Sequence, residues 1–136
     1  MRTLRRSFSV SNRLRYETVK LEYRDKLALL SFNRPKNYNA MNGTMYNEIQ
    51  DVLLSEAQNE NTSMLAIIGE GKFYSSGNDL KAMMANTGDL PIPERAQRAA
   101  DNHIGFTDAF IDFPKPLAAL VNGPAIGIGC THLGSV

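Results

Sequence analysis

An α/β domain is predicted by three features of this 136-residue sequence. Short apolar runs at LALLSF (27–32), MLAII (64–68) and PLAALV (116–121) have the length of strands. Segments with helical spacing of apolar residues lie between them, and clusters of glycine, proline and asparagine separate the two kinds of segment. The balance is globular: hydrophobic residues make up 43% and charged residues 21%, which excludes a disordered or collagen-like chain. The longest strictly apolar runs have five residues, far short of the roughly twenty that cross a bilayer, so no membrane-spanning segment or partner is expected.

The order of elements follows from the N-terminus. Residues 1–16 hold Arg2, Arg5, Arg6, Arg13 and Arg15 and no acid, whereas the remainder carries ten basic against fourteen acidic residues, a net of −4. This basic leader has the composition of an organellar transit peptide, and equally of a disordered basic tail. A nucleic-acid arm is not expected, because no basic stripe with stacking aromatics follows it. The domain proper is assigned to 17–136. YETVKLEY alternates imperfectly and LALLSF is apolar, with Arg24, Asp25 and Lys26 between, which predicts two adjacent strands joined by a tight turn. NRPKNYNAMNG then breaks the pattern as an ordered loop. Residues 44–59 predict a helix with Met45, Ile49, Val52, Leu53 and Ala57 on its apolar face, Glu48, Asp51 and Glu56 on the polar one, and Asn42 or Thr44 as cap.

MLAII follows as a strand compatible with burial on both faces, and GEGKFYSSGNDL (69–80) leads into a helix starting near Asn78 or Asp79. Gly88, Pro91 and Pro93 interrupt the next stretch. Residues 94–113 predict a long helix whose apolar side includes Ala100, Ile104, Ala109 and Phe113, ended by Pro114 and Pro116. PLAALVNG is expected as another buried strand, and PAIGIGCTHLGSV as a turn and helix start. The result is β-β-α-β-α-α-β-α in layers. Nothing resembling a closing strand follows Gly129, so the chain reads as interrupted.

Two tracts concentrate the chemistry. In GEGKFYSSGNDL and in NGPAIGIG (122–129) a predicted buried strand runs into a glycine-containing turn at a helix start. Such turns let backbone N–H groups point into a cavity, and two of them facing one carbonyl oxygen form an oxyanion hole. Neither tract fits the phosphate-loop or dinucleotide glycine pattern. Compact structural turns are the competing reading, and periodicity alone leaves it open.

The chain resembles the enoyl-CoA hydratase/isomerase, or crotonase, family. FNRPKNYNAMN (32–42) looks like its early loop, GEGKFYSSGNDL its first oxyanion segment and FPKPLAALVNGPAIGIG (113–129) its second, over some four-fifths of the chain. SSGNDL, FIDFPKPL and NGPAIG together look like the Δ3,Δ2-enoyl-CoA isomerase branch, particularly its peroxisomal type, and a chromodomain-associated branch shares similar tracts. The resemblance implies a crotonase-like ββα spiral core, truncated before the family's later helices. It implies backbone oxyanion donors at Asn78 and Ile128, and an acyl-CoA thioester bound near Lys36, Asn39, Ala40, Ser76, Asp79, Leu80 and Lys81. Backbone near Ala40 and Ser76 is the candidate adenine contact, and Lys36 or Lys81 the candidate phosphate contact. CoA is then part of the substrate, with no metal or separate cofactor.

The implied reaction moves a 3-enoyl-CoA double bond to give trans-2-enoyl-CoA. A base removes a C2 proton, the thioester oxygen gains charge, and an acid returns a proton at C4. Family hydratases carry a glutamate three residues past the second donor, where this chain has Thr131, so water addition is disfavoured. The isomerase carboxylate implied by the family falls after Val136, which leaves open whether this chain is active. Asp79 is expected to cap a helix, Asp89 and Glu94 flank a flexible break, and His103 and His132 read as surface or packed histidines, His132 being the more interesting as a proton carrier. Cys130, the only cysteine, is expected as a small buried filler and rules out any intrachain disulfide. A truncated acyl-CoA-binding or protein-interaction module is the alternative function. The parent is expected to be a homotrimer, mitochondrial by its leader or peroxisomal by its branch.

Overall fold

The computed structural model describes residues 16–85 and 91–136. The basic leader therefore lies outside the described residues except for Tyr16, as do Gly88 and Asp89 of the expected break. The elements come in the expected order. Strands β1 (Val19–Arg24) and β2 (Leu27–Phe32) precede helix α1 (Gly43–Ala57), strand β3 (Met64–Gly69), helices α2 (Leu80–Ala85) and α3 (Ile92–Ile111), strand β4 (Leu117–Leu120) and the one-turn helix α4 (Ile128–Thr131).

The four strands form one sheet in chain order, β1 antiparallel to β2 and the other neighbours parallel. Each parallel step is bridged by helix, as a crossover connection requires. Register places Ala28 beside Leu65 and Leu30 beside Ile67. These residues, with Phe32 and with Val19 and Leu21 of β1, are buried beneath Met45, Ile49, Val52 and Leu53 of α1. Asn42 caps α1, its side chain accepting from the Met45 N–H at 2.9 Å. Among the described residues no helix is long and apolar enough to cross a membrane.

Four expectations about burial are corrected. β4 is not a buried strand: its residues are half-buried and Leu120 is 48% exposed, because among the described residues it pairs with β3 alone. On α3, Ala100 and Ile104 face outward, whereas Phe106, Ala109 and Phe110 make the buried stripe against α1 and Phe113 is half-buried. Glu56 belongs to the buried side of α1, not the polar one, because the Tyr23 hydroxyl (2.8 Å), the Thr62 hydroxyl (2.9 Å) and the Asn59 amide (3.1 Å) all donate to its carboxylate. Lys115 closes this network by donating to the Glu56 and Asn59 carbonyls. Cys130 is exposed rather than a buried filler, since the inner side of α4 carries Ile128 and Gly129 instead.

Candidate active site

Three stretches beyond the strand ends assemble a second ladder, and the two glycine tracts meet in it. In the middle runs 74–79, continuing from β3. On one side the early loop joins it: the Ser76 N–H donates to the Tyr38 carbonyl at 2.9 Å, the Met41 N–H to Gly77 at 2.8 Å and the Asp79 N–H to Met41 at 2.9 Å. On the other side lies the segment after β4, where the Tyr74 N–H donates to Pro124 at 3.1 Å and the Ile126 N–H to Ser75 at 2.9 Å. Met41 bridges Asn78 and Ser75 bridges Ala125 in parallel fashion. Asn122 ties the start of this last segment to the end of β3, accepting from the Gly69 N–H at 3.0 Å and donating to the Gly71 carbonyl at 3.0 Å.

The early loop is held by one fully buried side chain. Asn39 Oδ1 accepts from the Arg34 N–H at 2.9 Å, while Nδ2 donates to the Glu70 and Phe73 carbonyls at 2.9 and 2.8 Å. Its φ of +54°, following +53° at Tyr38, is a left-handed conformation that asparagine tolerates better than most residues. The Ser75 hydroxyl donates to the Asn39 carbonyl at 2.9 Å and accepts from the Gly77 N–H at 3.1 Å. Lys36, Leu80 and Lys81 are exposed around this ladder, and Ala40 and Ser76 are half-buried.

Peptide planarity fixes where two N–H groups point. In a trans peptide the C=O and the following N–H are antiparallel. The Gly77 carbonyl accepts from Met41 in the early loop, so the Asn78 N–H is directed away from that loop, toward the side of the second segment. The Gly127 carbonyl accepts from Cys130 (2.9 Å), Thr131 (3.0 Å) and the Thr131 hydroxyl (3.1 Å), so the Ile128 N–H is directed out of α4. Among the described residues neither N–H donates to any acceptor. Each follows a glycine with positive φ, +87° at Gly77 and +54° at Gly127. These glycines abut: a Cβ on Gly127 would lie 3.9 Å from the Gly77 Cα, and one on Gly77 would lie 2.7 Å from the Ile126 carbonyl oxygen. Two unpaired donors on adjoining turns can stabilise negative charge on one oxygen.

Three of the titratable groups nearby are already engaged: Asp79, Tyr46 and His132. The Asp79 carboxylate accepts from the Ala82 N–H at 3.0 Å and pairs with Arg34 at 2.9 Å. The Ala82 bond, reinforced by Arg34 against the opposing cost of burial, holds its carboxyl below the usual range. The Tyr46 hydroxyl donates to Asn78 Oδ1 at 2.6 Å, and burial pushes its pKa up to about 12. His132 is packed, 4% exposed, with Nδ1 at 2.9 Å from the Ile128 carbonyl and Nε2 at 2.9 Å from the Tyr74 hydroxyl. Burial lowers its pKa, which the Ile128 carbonyl opposes. His103 is exposed on α3, and Glu94 is exposed in its first turn. Arg34, Tyr46, Tyr74 and Asn122 were not indicated by sequence: their side-chain roles depend on partners more than thirty residues away, Asp79 in the case of Arg34.

Residues 27–133 match the family description Enoyl-CoA hydratase/isomerase. The chain belongs to the enoyl-CoA hydratase/isomerase family. It is 42% identical over 122 residues to human enoyl-CoA delta isomerase 2, covering 88% of this chain and 30% of that protein. It is 40% identical over 109 residues to mouse enoyl-CoA delta isomerase 3, peroxisomal, covering 80% and 33%. The fold superposes on an enoyl-CoA hydratase of Mycobacterium marinum with a TM-score of 0.75 at 30% identity, over 88% of this chain and 55% of that one. The crotonase-like fold and the likeness to the isomerase branch are therefore as the sequence led one to expect. This family member spans about a third of the length of those two curated relatives.

Proposed function

We propose that this chain carries the oxyanion-stabilising part of a Δ3,Δ2-enoyl-CoA isomerase, which moves the double bond of a 3-enoyl-CoA to give trans-2-enoyl-CoA. The observation that carries the reading is the pair of N–H groups of Asn78 and Ile128, without an acceptor among the described residues, on abutting glycine turns. Charge develops on the thioester oxygen when C2 loses a proton, and two preorganised donors lower the energy of that dienolate. Loss of one such donor typically costs about 100-fold or more in rate. The names of the isomerase relatives support the substrate class.

The proposed CoA path runs along the early loop and the first segment. Backbone at Ala40 and Ser76 would meet the adenine, and Lys36 and Lys81 the phosphates, while the buried side chain of Asn39 and the paired carboxylate of Asp79 would shape the path without touching it. Leu80, exposed beside Lys81, would line the acyl side. Thr131 spends its hydroxyl on the Gly127 carbonyl, which supports isomerisation over hydration. The proposed reaction also needs a proton carrier facing C2 and C4, a role that neither the paired Asp79 nor the doubly bonded His132 is placed to take. The chemistry calls for no metal or redox cofactor, CoA being part of the substrate. Assembly of the parent as a homotrimer belongs to the same proposal. The basic leader supports a mitochondrial address and the mouse relative's name a peroxisomal one; import of a reporter fused to residues 1–16 separates them.

The engagement of Asp79 and His132 favours a second reading, an acyl-CoA-binding module without proton transfer. One experiment tests both. A 3-enoyl-CoA labelled with ¹³C at its thioester carbon is mixed with the chain, and carbonyl stretch and product are followed together. A lowered stretch supports the oxyanion part; product with it refutes the binding module, and its absence supports that module for the chain as tested. An unshifted stretch in bound ligand refutes the oxyanion reading.

A further inference from the structure

We infer that His132 and Tyr74 form a buried latch that positions the Ile128 N–H, making His132 a positioning residue for the second oxyanion donor; this rests on the oxyanion reading above. The ring nitrogens define a directed chain. A carbonyl can only accept, so His132 Nδ1 carries the proton and donates to Ile128, which leaves Nε2 of the neutral ring to accept from the Tyr74 hydroxyl. Tyr74 belongs to the first segment and Ile128 to the second, so the chain of bonds crosses the seam between them. The two rings also stack, with centroids 5.6 Å apart and planes 22° from parallel.

Three further aromatic rings pack around the imidazole: Phe32, Phe106 and Phe110 place ring centroids 6.1, 6.4 and 5.2 Å from that of His132. A core this apolar accepts an imidazole when both nitrogens are bonded, and here both are. The latch also answers a mechanical need. Helix α4 has four residues, too few to hold its own place on the sheet without tertiary contacts. Three bonds from Cys130 and Thr131 to the Gly127 carbonyl fix the Gly127–Ile128 peptide within α4, so the direction of the Ile128 N–H follows the seating of α4 itself, which must come from outside the turn. Gly129 sets the turn down on Ser75, where a Cβ would come within 2.7 Å of the serine Cβ, and His132 pulls the next carbonyl toward Tyr74.

The test uses the 136-residue chain, ¹⁵N-labelled, with hexa-2,4-dienoyl-CoA carrying ¹³C at the thioester carbon as probe. Two readouts are taken, the carbonyl stretch of the bound probe and the Ile128 amide signal of the free chain. His132→Phe keeps an aromatic ring and removes both bonds; it is expected to bind the probe, lose most of the carbonyl lowering and broaden or split the Ile128 amide. His132→Asn, whose side-chain amide can reach the Ile128 carbonyl, is expected to recover part of the lowering. A folded His132→Phe with the wild-type stretch and a single sharp Ile128 amide overturns the inference. Should His132→Phe not fold, Tyr74→Phe decides by the same two readouts: a partial loss supports the latch and no change overturns it. An unshifted carbonyl in the wild type overturns the oxyanion reading and the latch with it, whereas a shift retained in every variant overturns the latch alone.

Discussion

Replacing Gly77 with alanine places two separable costs on the seam between the oxyanion segments. Its φ of +87° lies where an L-residue's Cβ crowds the backbone, at roughly 1–2 kcal/mol. The new Cβ would also stand 2.7 Å from the Ile126 carbonyl oxygen, a backbone atom held close by the Ile126 N–H bond to Ser75. Overpacking of this kind costs roughly 1–3 kcal/mol, so the sum is about 2–5 kcal/mol out of the 5–15 kcal/mol typical of a domain. Gly127→Ala separates the terms. At φ +54° and ψ −126° it carries the conformational cost, about 1–3 kcal/mol, but its Cβ would meet only the Gly77 Cα at 3.9 Å, an ordinary contact. Gly43→Ala is the control: it sits in the first turn of α1 with nothing within 4 Å of a Cβ, and should gain about 0.4–1 kcal/mol through the unfolded state. Urea unfolding of the three variants with a common m-value reads the order directly. A Gly77→Ala midpoint at or above the wild-type value, or one above that of Gly127→Ala, would refute the reasoning.

Three other perturbations have defined outcomes. Because burial lowers the His132 pKa, an unfolded His takes up a proton below about pH 6.5 while the folded ring stays neutral; stability is full above that pH and falls as pH drops toward the folded value, at a limiting slope near 1.4 kcal/mol per unit. Denaturant midpoints between about pH 7 and pH 5 should show this slope in the wild type and lack it in His132→Phe, and equal slopes would remove the assignment. Asn39→Ala strips partners from the Glu70 and Phe73 carbonyls and the Arg34 N–H, and should cost about 3 kcal/mol or more by urea unfolding. Exposed Lys36 and Lys81, replaced singly by alanine, should weaken CoA binding about twofold to fivefold in low-salt calorimetry and less at high salt; no change in either would remove the lysines from the CoA path.

What sequence could and could not show divides by the range of the interactions. The strands and helices announce themselves locally: the Asn42 cap, the Met45–Ile49–Val52–Leu53 stripe and the apolar run at 64–68 each act within one element, and α1 was expected within two residues of its observed ends. The isomerase-like tracts were legible as resemblance, and the ladder that joins them was not, because its bonds connect residues 38–41, 74–79 and 124–126 through no periodic pattern. Burial failed where a partner reverses a residue's preference. Glu56 reads as polar surface until Tyr23, Thr62 and Lys115 arrive from three other places in the chain, and Ile104 reads as core until Phe106 and Phe110 take that face.

His132 is the sharpest case, and it shows why chemical interest and chemical role part company. In GCTHLG an imidazole beside an oxyanion segment suggests a proton carrier, since residue type is all that a one-dimensional reading supplies. Proton transfer to substrate requires a nitrogen that is free and facing the substrate, and His132 has neither free: one nitrogen is spent on Ile128 and the other on Tyr74. What the ring can transmit is position. A group that is neutral, enclosed by three phenylalanines and bonded at both ends acts on chemistry through the peptide it holds, so its replacement should change how strongly a thioester carbonyl is polarised before it changes any protonation step.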